Sequence, residues 1–270
     1  MSVITVSRGT MSGGKLIAEN LAEQLGFRCI DRDIIVEKAA ASGISHEVLR
    51  NALDKPPTML ERFQHKKYVY LALIQAALTD EVRTGRAVYH GNAGHLLLRG
   101  GGPVFRVRII APMEFRISMA RQRLKLHEDE ATAYIQKMDD SRRKWAHYLY
   151  GVDWTDPSLY DLVVNMENVG ALDAADTIAY MVKKQACFSF DAKCQASMAD
   201  LAIASRVKAD LAVNGATGHF EFEVTASDGV VSIDGKLSDI KRVEDIKSIA
   251  LAVPGVKDVD LSQLTSRIPA

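Results

Sequence analysis

Cysteine is scarce in this chain. Only Cys29, Cys187 and Cys194 occur, an odd number with no metal-ligand spacing. That excludes a disulfide framework or a zinc knuckle as the organising device. Cys187 and Cys194 could pair, but a reduced cytoplasmic chain is the simpler expectation. Seven histidines are scattered without zinc spacing. Net charge is also lacking: 34 Lys and Arg balance 34 Asp and Glu. A protein that coats nucleic acid carries a basic surplus, so that class is disfavoured and no nucleic-acid partner is expected. No apolar run is long enough to span a bilayer, and no basic n-region precedes an apolar h-region. Neither a membrane span nor a signal peptide is therefore expected. What is present is ordinary: 47% apolar and 25% charged residues over 270 positions. That suffices for one large domain or two modest ones.

The most informative segment is Gly9-Thr10-Met11-Ser12-Gly13-Gly14-Lys15. It has the G-x-x-x-x-G-K spacing of a phosphate-binding loop. Val3 to Ser7 reads as a buried strand before it. Leu16 to Leu25 reads as a helix after it, with Ile17, Leu21 and Leu25 on one face. Glycines let backbone N–H groups point at phosphate oxygens, and the helix start adds unpaired donors and partial positive charge. Lys15 can reach the outer phosphates. The chain is expected to bind a nucleoside triphosphate through Gly9, Thr10, Met11, Ser12, Gly13, Gly14 and Lys15. Leu16 stands where a Ser or Thr usually helps to hold Mg²⁺. Phosphate cradling survives that change, but the metal ligands are unknown.

Up to about residue 185, strand-like and helix-like segments alternate, which predicts a parallel α/β sheet. Strands are expected at 27–30, 86–91, 104–110 and 160–165. Helices are expected at about 33–53, 59–83, 113–126, 128–149 and 171–183. Residues 186–198 lose the pattern and read as a linker. A second unit follows, read as α-β-β-α-β. Leu201, Ala204, Val207 and Leu211 share a helical face, Phe220, Phe222 and Val224 alternate, and Asp228-Gly229 is a hairpin signal. The fold class is thus a phosphate-loop parallel sheet flanked by helices, followed by a small α+β domain. Residues 1–185 are expected to fold on their own.

Residues 1–183 resemble the cytidylate kinase-like family of P-loop proteins, relatives of nucleoside monophosphate kinases. The resemblance rests on Ser7-Arg8-Gly9 through Lys15, Ile30-Asp31-Arg32-Asp33-Ile34-Ile35 and His90-Gly91-Asn92-Ala93-Gly94-His95. It continues through Ala111-Pro112-Met113-Glu114-Phe115-Arg116, Lys137-Met138-Asp139-Asp140-Ser141-Arg142, Asp153-Trp154 and Tyr160 to Asn165. Residues 199–267 resemble a BON domain, on Asp228-Gly229-Val230-Val231-Ser232-Ile233-Asp234-Gly235 and Val253-Pro254-Gly255-Val256. Such modules are linked to phospholipid or other ligands.

The resemblance implies ATP, Mg²⁺ and a monophosphate acceptor, CMP or dCMP. It points to Lys15, Arg116, Arg142 and Asp31 as catalytic residues. Acceptor contacts are expected from Asp31, Asp33 and Asn92. Asn92 occupies a position where related sequences commonly carry an arginine for the acceptor phosphate, and it supplies no charge. Arg121, Arg123 and Arg143 are the remaining cationic candidates, with solvated helix charges as their ordinary reading. Arg116, Ala120 and Arg123 are expected on a helix face opposite the apolar one. An Asp also caps helices well; that role fits Asp33 better than Asp31. His90 and His95 are expected in structural or solvent-facing roles. Trp145, Tyr148, Tyr150 and Trp154 are expected as packing under a lid. An alternative to kinase activity is a nucleotide sensor whose tail meets a lipid or protein, with Lys236, Lys241, Arg242 and Lys247 as possible lipid contacts. A homo-oligomer is open, with the helix over 59–83 available as a dimer face.

Overall fold

The computed structural model describes residues 3–54, 66–91, 93–184, 188, 191–238 and 240–266. Asn92, Cys187 and residues 55–65 lie outside it, and so does the first part of the helix expected over 59–83.

Five parallel strands form the first sheet: β1 (Val3–Arg8), β2 (Arg28–Asp31), β3 (Ala87–His90), β4 (Val104–Ile110) and β5 (Leu162–Asn165). Their order is β2-β3-β1-β4-β5. The central strand β1 is buried without a break from Val3 to Ser7, with Val3, Ile4 and Val6 around a buried Thr5, which fits a strand covered on both faces. It pairs with β3 from Val3↔Ala87 to Val6↔His90, and with β4 from Val3↔Val104 to Arg8↔Ile109. That register brings the ends of β1 and β3 to one edge, where the glycine loop leaves the sheet. Helices α1 (Gly14–Leu25) and α8 (Ala171–Lys184) cover one face through Ile17, Leu21, Ala175 and Ile178. The other face is packed by α2 (Arg32–Ala40), α3 (His46–Asp54), α4 (Lys66–Val82) and the short α5 (Gly94–Leu97). Helices α6 (Met113–Leu124) and α7 (Glu128–Tyr150) pack together through Ala120, Ala131 and Ile135 and send Arg116 and Arg142 to the segment Arg8–Thr10.

The single helix expected over 33–53 is two helices. Gly43 adopts a left-handed φ of 89°, which ends the first one. Ser45 Oγ then accepts from the Val48 N–H at 3.4 Å and opens the second.

The tail forms its own sheet from β6 (Phe222–Ser227), β7 (Val230–Leu237), β8 (Asp258–Asp260) and β9 (Leu264–Ser266). β6 runs antiparallel to β7, whereas β8 and β9 pair in parallel along its other edge. Helix α10 (Val243–Leu251) packs Ile246 and Ala250 onto Phe222, Val231 and Ile233.

Residues 192–198, expected within a linker, are the first turns of a long helix, α9 (Ala192–Val213), capped by Asp191. Its apolar residues are not confined to one stripe, because α9 serves two cores. Cys194, Met198, Ala209 and Ala212 join the large core with α4, while Val207 and Leu211 join the tail's core. Among the described residues no helix is long and apolar enough to cross a membrane.

Candidate phosphate-binding site

The loop between β1 and α1 has the backbone shape its sequence requires. Met11 and Gly13 take positive φ of 61° and 84°. Ser12 closes the turn internally: its Oγ donates to the carbonyls of Gly9 (3.0 Å) and Ile109 (3.2 Å). The N–H groups of Gly13, Gly14 and Lys15 lie at the helix start, where no earlier turn exists to accept from them. This is an anion-binding geometry. Lys15 is half exposed and among the described residues pairs with Glu19, at 3.6 Å, a surface pair that a phosphate can displace. Leu16 is 47% exposed and offers no oxygen to a metal.

Both arginines singled out by resemblance converge on this loop. Arg116, from α6, donates Nε–H to the Thr10 carbonyl at 2.7 Å, and its other arm pairs with Asp139. Arg142, from α7, donates to the Arg8 carbonyl at 3.0 Å and lies 3.8 Å from Asp139. Their side chains are only 12% and 15% exposed. Arg121, Arg123 and Arg143 are exposed, and Arg121 pairs with Glu128 at 3.6 Å. The face assignment on α6 needs correction. Ala120 is fully buried with Ile117, Ala131 and Ile135, whereas Leu124 is exposed. The buried face of α6 therefore runs beside Arg116 rather than opposite it.

Asp139 is the site residue to which sequence reasoning assigned no functional role beyond its place in the Lys137-to-Arg142 segment. Its Oδ1 accepts from the Thr10 N–H (3.0 Å) and the Thr10 hydroxyl (2.7 Å). One carboxylate thus joins the loop to both arginines. The signal was available: Asp139 and Arg142 are three apart, so they share a helix face with a loop-directed arginine.

On the acceptor side, Asp31 is the N-cap of α2 and accepts from the Ile34 N–H at 2.9 Å. The cap was assigned to Asp33 on sequence, so this is a correction. The cap lies two residues earlier than expected, and the helix starts at Arg32. Asp33 instead points outward and pairs with Arg50 at 2.8 Å.

His90 and His95 are both buried. His90 Nδ1 lies 3.1 Å from Arg8, and His95 Nδ1 lies 3.0 Å from Ser7 Oγ. Burial, reinforced by Arg8, lowers His90 to about 4. Burial, reinforced by Arg106, Arg99 and Arg108, lowers His95 to about 3. Both are neutral at pH 7. Trp145 and Trp154 are buried as expected, but Tyr148 is exposed. Trp154 stacks under Arg108, 4.3 Å from ring centre to guanidinium carbon. Ser7, Arg8, Gly91, His95, Arg142 and Trp154 all border a small cavity beneath α7. Gly91 is fixed there by space: a Cβ would stand 2.4 Å from the Tyr89 hydroxyl.

Among the described residues no cluster of three or more His, Cys, Asp or Glu could hold a metal. The N–H groups at the start of α1, with Lys15, Arg116 and Arg142 beside them, fit an anion such as a nucleotide's phosphates.

A model of the cytidylate kinase-like family matches residues 3–168. A model of the BON domain matches residues 199–266. The cytidylate kinase of Ignicoccus hospitalis is 26% identical over 185 residues, covering 67% of this chain and 99% of its own length. That of Methanopyrus kandleri is 31% identical over 167 residues, covering 60% of this chain and 83% of its own. A solved structure of an uncharacterized protein from Eubacterium ventriosum superposes with a TM-score of 0.53 at 17% identity. It covers 68% of this chain and 100% of its own, a likeness of fold.

Proposed function

The chain belongs to the cytidylate kinase-like family, and on that premise we propose that it transfers a phosphoryl group from ATP to a nucleoside monophosphate. CMP or dCMP is the proposed acceptor. The observation that carries the reading is the convergence of Arg116 and Arg142 on the glycine loop through Asp139.

Phosphoryl transfer needs placement and charge neutralisation more than covalent help. In this reading the N–H groups at the start of α1 cradle the donor's phosphates, and Lys15 moves from Glu19 to the outer ones. Arg116 and Arg142 turn their forks toward charge developing on the moving group. Asp139 is a positioning residue that holds both forks at the loop. Asp31 meets the acceptor with the carboxylate oxygen not used in capping. Mg²⁺ would enter on the nucleotide's own phosphates, since Leu16 supplies no ligand, and would neutralise phosphate charge there. The proposed location is the cytoplasm.

A second reading is a catalytically weak nucleotide sensor acting through its BON domain. Two observations favour it: Leu16 at the metal position, and α9 shared by both cores. MgATP-dependent phosphorylation of CMP, dCMP, UMP, AMP and GMP separates the two, with Lys15→Ala as control. Turnover that the control loses supports the kinase. ATP binding without turnover of any acceptor supports the sensor.

A further inference from the structure

We propose that Arg8 is the ligand for the acceptor's phosphate, an inference that rests on the kinase reading above and names a contact within it. Arg8 ends β1, where the chain enters the glycine loop. Its side chain runs directly beneath Gly14, where a Cβ would stand 2.9 Å from Arg8 Cβ and 3.0 Å from its Cδ. The absent side chain at Gly14 is what lets this arginine pass under the loop.

Among the described residues the guanidinium has no counter-ion. Arg116 and Arg142 share Asp139, Arg106 pairs with Asp161, Arg28 with Glu81 and Arg50 with Asp33. Arg108 also lacks a carboxylate, but the Trp154 carbonyl and the Trp154 ring engage it. Among the described residues the Arg8 side chain makes one hydrogen bond, to the ring nitrogen of His90, and no ion pair. His90 is neutral and accepts; it cancels no charge. Asp31 forms no ion pair with Arg8, and Arg32 and Arg123 add positive charge near it. A mostly buried cation without a carboxylate is costly unless an anion arrives.

Position decides which anion. The donor cradle lies at the N–H groups of Gly13 to Lys15. Arg8 leans toward the end of β3, beside His90, and borders the cavity that runs on to Gly91 and Arg142. That is the sheet edge next to Asp31, the proposed acceptor side. Asn92, the expected acceptor-phosphate position, carries no charge. Arg8 supplies a fork that suits a phosphate dianion.

The test compares ligands that differ only in the phosphate. Binding of CMP, cytidine and ATP is measured by calorimetry on the full chain and on Arg8→Met, with AMP, UMP and GMP as further monophosphates. Losing a charge-assisted contact costs about 10- to 100-fold in affinity. The expected result is that loss for CMP, unchanged cytidine binding, and ATP affinity within about threefold. Unchanged CMP affinity in Arg8→Met overturns the proposal and leaves the kinase reading intact. An equal loss for ATP overturns it in favour of a donor-phosphate contact. Failure of the wild-type chain to bind any monophosphate removes both the acceptor reading and this contact. Should Arg8→Met not melt cooperatively, Arg8→Lys decides. It keeps the charge without the fork, so a CMP-specific loss supports the assignment, and no loss overturns it.

Discussion

At the scale of single residues, Asp139 is the one on which the placement of Arg116 and Arg142 turns. A neutral amide there can still accept from Thr10, but it no longer balances two guanidinium groups. Asp139→Asn is expected to lower kcat by about 10- to 100-fold, the worth of a hydrogen bond to a charged group. ATP affinity should change far less, since the N–H groups of Gly13 to Lys15 are untouched. A steady-state split of kcat from KM checks this; a rise in KM for ATP with kcat intact would contradict it. Lys15→Ala is expected to weaken ATP binding at least tenfold, read directly by titration. The motif that names Lys15 is local in sequence, so it was legible. Asp139 was not, because its importance depends on α7 crossing over a loop 129 residues earlier. Asp31 was legible as a site residue but not as a cap, since a two-residue shift in the helix start exchanges the roles of Asp31 and Asp33. The buried histidines make a pH prediction. Both have folded-state values depressed by burial, to about 4 and about 3. Below about 6.5 the unfolded chain binds protons that the native state refuses, so stability falls as pH drops from there toward 4. Melting at pH 7.5, 6 and 5 should show the decline, and His95→Phe, if it folds, should flatten it.

At the scale of elements, the sheet was readable because its strands are short apolar runs between strong stop signals. Val3–Arg8 and Val104–Ile110 fall where period and composition place them. The division of 33–53 was harder, because Ala39, Ala40 and Ala41 carry good helix propensity up to the break. Only Gly43 and the Ser45 cap mark it. Helix α9 was hardest. Its first turns pack small and soft residues, Cys194 and Met198, against glycines: a Cβ at Gly101 would stand 2.9 Å from Met198 Sδ. A helix that meets two partners on two sides loses the single stripe by which helices are recognised. Separately from α9, α4 is tied to β6 by Tyr68, whose hydroxyl donates to the Phe222 carbonyl (2.9 Å) and accepts from the Phe222 N–H (2.8 Å). Tyr68→Phe leaves both backbone groups of Phe222 without that partner. It is expected to cost about 1–3 kcal/mol, measured by urea unfolding.

At the scale of the whole molecule, α9 changes what the tail is. Sequence composition reads residues 1–185 as a self-sufficient unit with an appended module. In the fold, a cut at 185 removes Cys194, Met198, Ala209 and Ala212 from the large core and uncovers Leu73 and Ala76 on α4. Met198 alone is fully buried, and burying such a side chain contributes about 1.5–3 kcal/mol. Against a total stability of about 5–15 kcal/mol, the summed loss is large. The truncated chain 1–185 is therefore expected to melt well below the full chain or to aggregate. A chain ending at 213 keeps α9 on α4 and should recover much of that loss, while exposing Ile203, Val207 and Leu211, which face the tail's core. Comparing the melting of all three chains, together with their ATP affinity, separates two designs. If 1–185 melts like the full chain, the BON domain is a passenger and any ligand it binds cannot reach the nucleotide site through packing. If 1–213 is stable and 1–185 is not, α9 is a shared beam. A ligand on the tail that shifts α9 then shifts α4 and the loop at Gly101 and Gly102 that leads into β4, the strand whose Ile109 carbonyl holds the glycine loop in place.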